Sequence, residues 1–277
     1  MKFELVDIAF SYSSRVGQRA EVLRGLNLSI ESGECLGIIG REGAGKTTLL
    51  QILDGLLLPN QGKLIVDGAL IDSPAAALRL RHEVGFAFQF PEEQMFCETV
   101  REELLYGIRQ AGLAQVRTPE ESLQIFGLDP LNILELSPFA LSPMEARFVA
   151  LASLLVPARR ALLFDEPTVG LDAHGLRNTI DVLRKLRADG LTIVVVSHDI
   201  DMLAELVDSV AVLKDGCIAL KVSATEAFCT PGLMERYGYE PPEIVTALND
   251  YGTQGMHLKE GVFRFDQALE VIRRARS

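Results

Sequence analysis

Gly40-Arg41-Glu42-Gly43-Ala44-Gly45-Lys46-Thr47-Thr48 decides how this 277-residue chain is read. The stretch has the spacing G-x-x-x-x-G-K-T. An apolar run, Cys35 to Ile39, precedes it and predicts a buried strand. Thr48, Leu49, Leu50, Ile52, Leu53 and Leu56 follow, spaced to line one side of a helix. Between a strand and a helix, the glycines let the backbone curl so that several N–H groups point inward, and the helix N-terminus adds its positive dipole end. A polyphosphate is the ligand that such a loop cradles. Lys46 is placed to reach β- and γ-phosphates, and the Thr47 hydroxyl to ligate Mg²⁺.

On the N-terminal side, residues 2–10 alternate and predict a strand, with Phe10, Ser11 and Tyr12 leading into a polar loop through Arg19. Leu26 to Ile30 predicts a second strand, ended by Glu31-Ser32-Gly33, and Lys63 to Val66 with Asp67-Gly68 predicts a hairpin. Together these suggest a small antiparallel sheet beside the loop. Tyr12 has two readings of equal weight, a partly buried loop aromatic or a ring stacked on adenine.

On the C-terminal side, Val84 to Phe88 predicts a strand ending at Gln89. From Pro91 to about Val156 the pattern turns helical, with Thr99 capping a helix that carries Val100, Leu104 and Leu105. Ala161 to Phe164 predicts a strand closed by Asp165-Glu166-Pro167. Leu176 to Ala188 predicts a helix, Leu191 to Val196 a strand ending at Ser197-His198-Asp199, and Val210 to Leu213 a further strand. Strand and helix alternating in this way imply an α/β fold with a mostly parallel central sheet covered on both faces. From about residue 225 the rhythm is lost. A last helix is predicted with Asp266 as N-cap, Leu269, Ile272 and Ala275 on one side, and Arg273, Arg274 and Arg276 at its end. Such a helix more often packs on its own domain than on a partner.

A parallel sheet gathers its ligands at the carboxyl ends of its strands. Asp165, Glu166 and His198 all fall at such ends, as does the lysine-bearing loop. Asp165 is expected to hold Mg²⁺ through water and Glu166 to orient or deprotonate an attacking water. His198 is expected to contact the γ-phosphate.

Composition bounds the rest. The chain carries 27 basic and 38 acidic residues, a net charge of −11, which argues against nucleic acid as a partner. Cys35, Cys97, Cys217 and Cys229 make no C-x-x-C pair, so neither a zinc site nor a disulfide framework is indicated, and a reducing cytosol is the simple reading. Glu4 and Asp7 interrupt the first apolar stretch, unlike a signal peptide. No apolar run, Phe148 to Val156 included, approaches the ~18 residues of a membrane span.

The ordered set of motifs resembles the ATPase subunit of ATP-binding-cassette (ABC) transporters, which have the P-loop NTPase fold. The resemblance covers residues 1–220. It implies that Tyr12 stacks on adenine and that Gly40, Arg41, Glu42, Gly43, Ala44, Gly45, Lys46, Thr47 and Thr48 form the phosphate-binding loop. Gln89 becomes the Q-loop glutamine, near both metal and attacking water. Leu162 to Glu166 becomes the acidic strand with its catalytic glutamate, Gly170-Leu171-Asp172 the D-loop, and His198 the switch histidine. Gly85 to Gly107, GFAFQFPEEQMFCETVREELLYG, is similar to the region of energy-coupling-factor and cobalt-type importer ATPases that touches the membrane subunit. The resemblance implies ATP and Mg²⁺ as ligands, a transmembrane coupling subunit and a second ATPase subunit as partners, and a peripheral place on the cytoplasmic face of the membrane. The solute would be a vitamin or metal ion. It also implies an ATPase domain over 1–222 with a helical insertion at about 90–157 and a flanking antiparallel β subdomain. A small C-terminal domain, 223–277, would contact the dimer partner. A soluble, non-transport ABC ATPase is the competing reading; it is disfavoured by the single cassette and the acidic charge.

One motif departs from the pattern. Where the family has Leu-Ser-Gly-Gly-Gln, this chain has Leu141-Ser142-Pro143-Met144-Glu145, with Arg147 and Val149 to Ala152 securing the frame. In the family that segment grips the γ-phosphate held by the opposite subunit, a role that here falls to Ser142. Pro143 removes a backbone donor, Met144 replaces a glycine that allows close approach, and Glu145 adds a negative charge. Ser-Pro-x-Glu is nonetheless a capping box, so a helix is expected whose first N–H groups are satisfied internally. A working site then needs an intact signature from a different chain, which favours a heterodimer. A mainly structural ATP-binding subunit with weak hydrolysis is the alternative.

Overall fold

The computed structural model describes residues 1–13, 19–253 and 261–276. The strands are β1 (Phe3–Ser13), β2 (Arg19–Ile30), β3 (Cys35–Ile39), β4 (Gln61–Val66), β5 (Ala69–Leu70), β6 (Val84–Ala87), β7 (Ala161–Asp165), β8 (Thr192–Val196), β9 (Ser209–Lys214) and β10 (Cys217–Ser223). The helices are α1 (Lys46–Leu53), α2 (Pro74–Glu83), α3 (Val100–Ala111), α4 (Pro119–Ile125), α5 (Pro130–Ile133), α6 (Pro143–Ser153), α7 (Ala173–Ala188), α8 (Ile200–Leu206), α9 (Ala224–Cys229), α10 (Glu243–Thr253) and α11 (Phe265–Arg276).

Two sheets organise the chain. One is antiparallel, in the order β2-β1-β4-β5. The other runs β10-β9-β3-β8-β7-β6 and is parallel except for the β9–β10 pair. Strands β3, β7 and β8 are continuous apolar runs because both faces of the parallel sheet are covered. Their side chains divide with a period of two. Cys35, Ile39, Leu162, Phe164, Ile193 and Val195 join a core shared with the helical insertion. Leu36, Ile38, Leu163, Val194 and Val196 join a second core shared with the antiparallel sheet, α1 and α2. One-residue slips in these strands would exchange the two sets, so burial on both sides fixes the register.

The structure departs from the expectations above in five places. Strand β1 runs on through Tyr12, and β2 begins well before Leu26; pairs such as Phe10↔Leu23 and Tyr12↔Ala20 extend the ladder. Helix α2 and strand β10 were not foreseen. Asp266 is not an N-cap but lies in the first turn of α11. The side chains of Arg274, Ala275 and Arg276, and the loop 14–18, lie outside the described residues.

The C-terminal segment is bound closely to the sheet. Phe228, Met234, Val245 and Phe263 are buried in the same core as Phe164 and Val210. Arg264 donates from Nε to the Ala204 carbonyl (3.2 Å) and from Nη2 to the Val207 carbonyl (3.1 Å), satisfying acceptors at the end of α8. The Phe265 N–H donates to Glu205 (2.7 Å) and the Glu243 N–H to Asp201 (2.8 Å).

Asp54, just past α1, is 8 % exposed, and burial pushes its carboxyl up from 3.8 to about 6, against the pull of Arg81 and Arg159. A raised acid favours the protonated folded state, so stability is lost as pH rises from about 4 through about 6; the full shift corresponds to about 3 kcal/mol. Asp54→Asn is therefore expected to stabilise the chain by about 1–3 kcal/mol at pH 7.5 and by about half as much at pH 5. Urea unfolding at the two pH values measures this; an equal effect at both would contradict it.

Candidate nucleotide site

The loop between β3 and α1 is shaped by its glycines. A Cβ on Gly40 would run into the Leu213 carbonyl, so β9 packs against the bare backbone there. Gly45 has φ 103°, and a side chain on it would press on Leu23 and Val22 of β2. Gly43 is also left-handed, at φ 76°. These conformations suit glycine and turn the loop so that α1 starts at Lys46.

Lys46 folds back across the loop. Its Nζ donates to the Gly40 carbonyl (2.6 Å) and the Arg41 carbonyl (3.2 Å), and lies 3.2 Å from His198 Nε2. Burial lowers its pKa, while Glu166, Asp165 and Glu42 pull it up. Thr47 Oγ1 donates to Asp165 Oδ2 at 2.6 Å, joining the start of α1 to the end of β7. Burial holds the Asp165 carboxyl above the usual carboxylate range, opposed by Thr47 and Lys46.

Parallel registry explains why residues so far apart in sequence meet. Asp165 pairs with Val196, and Val196 with Ile38, so β7, β8 and β3 end side by side. Glu166 follows with φ 52°, a left-handed backbone that costs a non-glycine residue about 1–3 kcal/mol. Its N–H donates to the Val196 carbonyl (2.9 Å), and its carboxylate accepts from the His198 N–H (3.3 Å). His198 Nε2 stands 3.4 Å from Glu166 Oε1, yet that oxygen is buried with no aligned donor. Burial raises the Glu166 pKa, with His198 and Lys46 opposing. A buried, elevated carboxylate with a free lone pair suits a general base.

Lys46, Thr47, Asp165, Glu166 and His198 thus form one cluster. Tyr12 lies at its margin, 43 % exposed, with its hydroxyl 3.2 Å from both Thr48 Oγ1 and Gln51 Oε1; Phe10 meets its ring edge-on. Arg41, Glu42 and Gly43 are exposed on the loop, and Ala44 is half-buried. The Gln89 side chain is exposed, and only its carbonyl is held, by Arg147. Ser142 is not part of the cluster. It caps α6 and accepts from the Glu145 N–H (3.4 Å), while Glu145 Oε2 accepts from the Ser142 N–H (2.9 Å) and Oγ (2.6 Å). These bonds, the Ser142 hydroxyl's first, keep the Glu145 carboxyl below the usual range.

Sequence reasoning missed two neighbours of the site. Arg147 reaches the Glu166 carbonyl from α6. Tyr239, in the C-terminal segment, lines a cavity of 550 Å³ together with Gly40–Ala44 and Leu213–Gly216. Burial holds its phenol above the ordinary value, the Gly40 backbone opposes, and the charge of Glu166 raises it further. No local pattern marks either residue.

The ABC transporter family description matches residues 23–169. The chain is 33% identical over 277 residues to the energy-coupling factor transporter ATP-binding protein EcfA2 of Clostridium perfringens, covering 98% of this chain and 97% of that protein. Among solved structures it is similar to cbiO1 of Clostridium perfringens, part of the ABC transporter complex cbiONQ, with a TM-score of 0.71 and 27% identity over 89% of this chain and 98% of that one. It is also similar to a dimeric ATP-binding cassette bound to ADP and Pi in a post-hydrolysis state, with a TM-score of 0.70 and 27% identity over 80% and 98% of the two chains.

Proposed function

The chain belongs to the ABC transporter family, and from that premise we propose that it is the ATP-binding, ATP-hydrolysing subunit of a membrane importer of the energy-coupling-factor or cobalt type. The observation that carries this is the convergence of Lys46, Thr47, Asp165, Glu166 and His198 at one sheet edge. Lys46 leaves the carbonyls of its own loop for the β- and γ-phosphates, and the backbone N–H groups of Gly43 to Thr48 take the remaining phosphate oxygens. Glu166 accepts a proton from the attacking water, and His198 holds the γ-phosphate. Tyr12 stacks on the adenine.

The donors suit Mg²⁺. Thr47 Oγ1 and Asp165 Oδ2 already meet at 2.6 Å, and a hard cation that retains waters and phosphate oxygens needs few protein ligands. Gln89 is the third candidate ligand. When bound, the metal supplies charge neutralisation on the phosphates.

Phe90, Phe96 and Tyr106 support a transmembrane partner. They are large and exposed, and the rings of Phe96 and Tyr106 meet edge-on at 4.8 Å. Glu103 fixes the loop beneath them by accepting from the N–H groups of Phe96 and Cys97, both at 3.0 Å. Exposed aromatic rings next to a nucleotide-linked loop suit docking. No helix among the described residues is long and apolar enough to cross a membrane, so attachment to the cytoplasmic face runs through that partner. The second ATPase subunit is a different chain with an intact signature, because α6 caps itself here. The described C-terminal segment after β10, seated on the core of the central sheet, contacts the dimer partner. A mainly structural role with weak hydrolysis is the second reading, favoured by the same self-capping.

Lys46→Ala tests the site. ATP affinity, measured by calorimetry on the complex purified with its membrane subunit, is expected to fall at least ~10-fold, the worth of one charge-assisted contact. Unchanged affinity, or copurification with RNA in place of a hydrophobic subunit, would contradict the proposal.

A further inference from the structure

Arg147 sits in the first turns of α6, and its side chain is almost fully buried, at 5% exposure. Its Nη2 donates to two carbonyls at once, that of Gln89 at 3.0 Å and that of Glu166 at 3.2 Å. Its Nη1 stands 3.7 Å from Glu92 Oε1, in the 3-10 turn Pro91–Gln94 that follows the exposed Phe90. One guanidinium therefore bridges the loop after β6, the helix behind the signature and the residue after β7. Guanidinium geometry suits this, since its planar fork carries five donors in fixed directions.

What it holds is strained. Glu166 is one of four non-glycine residues with positive φ among those described, beside Asp7, Asp67 and Asp215. The other three are exposed turn or strand-edge positions, whereas Glu166 is buried. Its N–H is fixed by Val196, and its carbonyl accepts from both Arg147 (3.2 Å) and the Val169 N–H (3.3 Å), so both flanking peptide planes are pinned. A left-handed backbone of this kind persists only where its surroundings over-determine it. Without Arg147 the Glu166 carbonyl keeps only the bond from the Val169 N–H (3.3 Å), and its hold on the left-handed backbone is weakened.

We propose that Arg147 is a positioning residue. It pins the Glu166 backbone so that the carboxylate faces the attacking water, and it ties that backbone to the loop at Gln89 and Glu92 on which the membrane subunit docks. The inference rests on the ATPase reading above. Buried polar groups at Arg147 Nε and Glu92 Oε2 lack partners, so the bridge is not a saturated structural ion pair and has room to rearrange.

The test uses the full chain assembled with its membrane subunit. Arg147→Met keeps the volume and removes the donors. It is expected to lower kcat at least ~10-fold while KM for ATP and the affinity for a nonhydrolysable ATP analogue stay within about twofold. Arg147→Lys, which can reach one carbonyl but not bridge two, is expected to recover part of the rate. Glu92→Gln is expected to lower membrane-subunit-stimulated kcat about threefold in the wild-type background and to add no further loss to Arg147→Met. Should Arg147→Met not fold, the kcat-against-KM split is read from Arg147→Lys. Wild-type kcat in Arg147→Met overturns the proposal. So do parallel losses of kcat, analogue affinity and melting temperature in both Arg147 variants, which would mark a packing role. If the unsubstituted complex binds ATP but does not hydrolyse it, the ATPase reading fails, and this inference fails with it.

Discussion

Glu166→Gln is expected to reduce ATP hydrolysis on this chain at least ~100-fold, the scale of a lost general base, while leaving ATP affinity within about threefold. The asymmetry follows from the geometry. Binding draws on Lys46, Thr47 and the glycine backbone, none of which the substitution touches. Proton abstraction draws on the buried Glu166 oxygen that lacks a donor. A ~100-fold loss corresponds to about 2.7 kcal/mol of transition-state stabilisation. Because burial raises the Glu166 pKa, the base becomes competent only above the ordinary carboxylate range. The acid limb of kcat should therefore lie above the ordinary carboxylate range, with rate climbing as pH rises, and should vanish in Glu166→Gln. Single-turnover hydrolysis of labelled ATP across pH 5–8 measures both. A substitution that left kcat intact would favour the structural-subunit reading.

The same residue shows what sequence can and cannot convey. The loop at Gly40 to Thr48 is legible because its chemistry sits within nine consecutive residues, and its neighbours declare strand and helix locally. Asp165 and His198 become legible once the sheet is read as parallel, since strand ends then share an edge. The bridge through Arg147 is not, because the two carbonyls it reaches lie 58 and 19 residues away, and their meeting depends on how α6 packs under the sheet. Strand β10 hides for a different reason: Cys217–Ser223 is half-exposed along most of its length and carries no clean alternation. At the last helix the capping rule pointed to Asp266, yet the segment is fixed by Arg264, whose side chain is drawn to the carbonyls ending α8. Tertiary acceptors decided that boundary, and no window around residue 266 contains them.

The Ser142 capping box, by contrast, was legible down to its partners, and it supports a second large effect. The start of α6 presents a helix N-terminus, which elsewhere would receive a phosphate. Here Pro143 has no N–H, the Glu145 N–H goes to Ser142 Oγ, and Glu145 Oε2 takes the N–H and Oγ of Ser142. A carboxylate already occupies the anion position, and it repels a γ-phosphate brought by the opposite subunit. Replacing Pro143-Met144-Glu145 by Gly-Gly-Gln removes that charge and restores a backbone donor. Each charge-assisted hydrogen bond regained contributes about 1.5–3 kcal/mol, and the freed dipole about 0.3–1 kcal/mol. The expected gain is ~10-fold or more in hydrolysis at the site that faces this segment. Ser142 with Gln at the third position keeps the capping box, so the cost is that of two glycines in the first turn, up to about 1 kcal/mol each, against a helix whose residues from Ala146 to Ala152 are buried. Combining the repair with Glu166→Gln identifies the site. In a heterodimer, the chain's own site falls silent and the gain appears at the partner's phosphate loop. In a homodimer every site carries the Gln, and the repaired double variant stays inactive although the repair alone is faster. No gain from the repair in either background would mean that the self-capped helix still grips phosphate, and the asymmetry between the two sites would have to come from elsewhere.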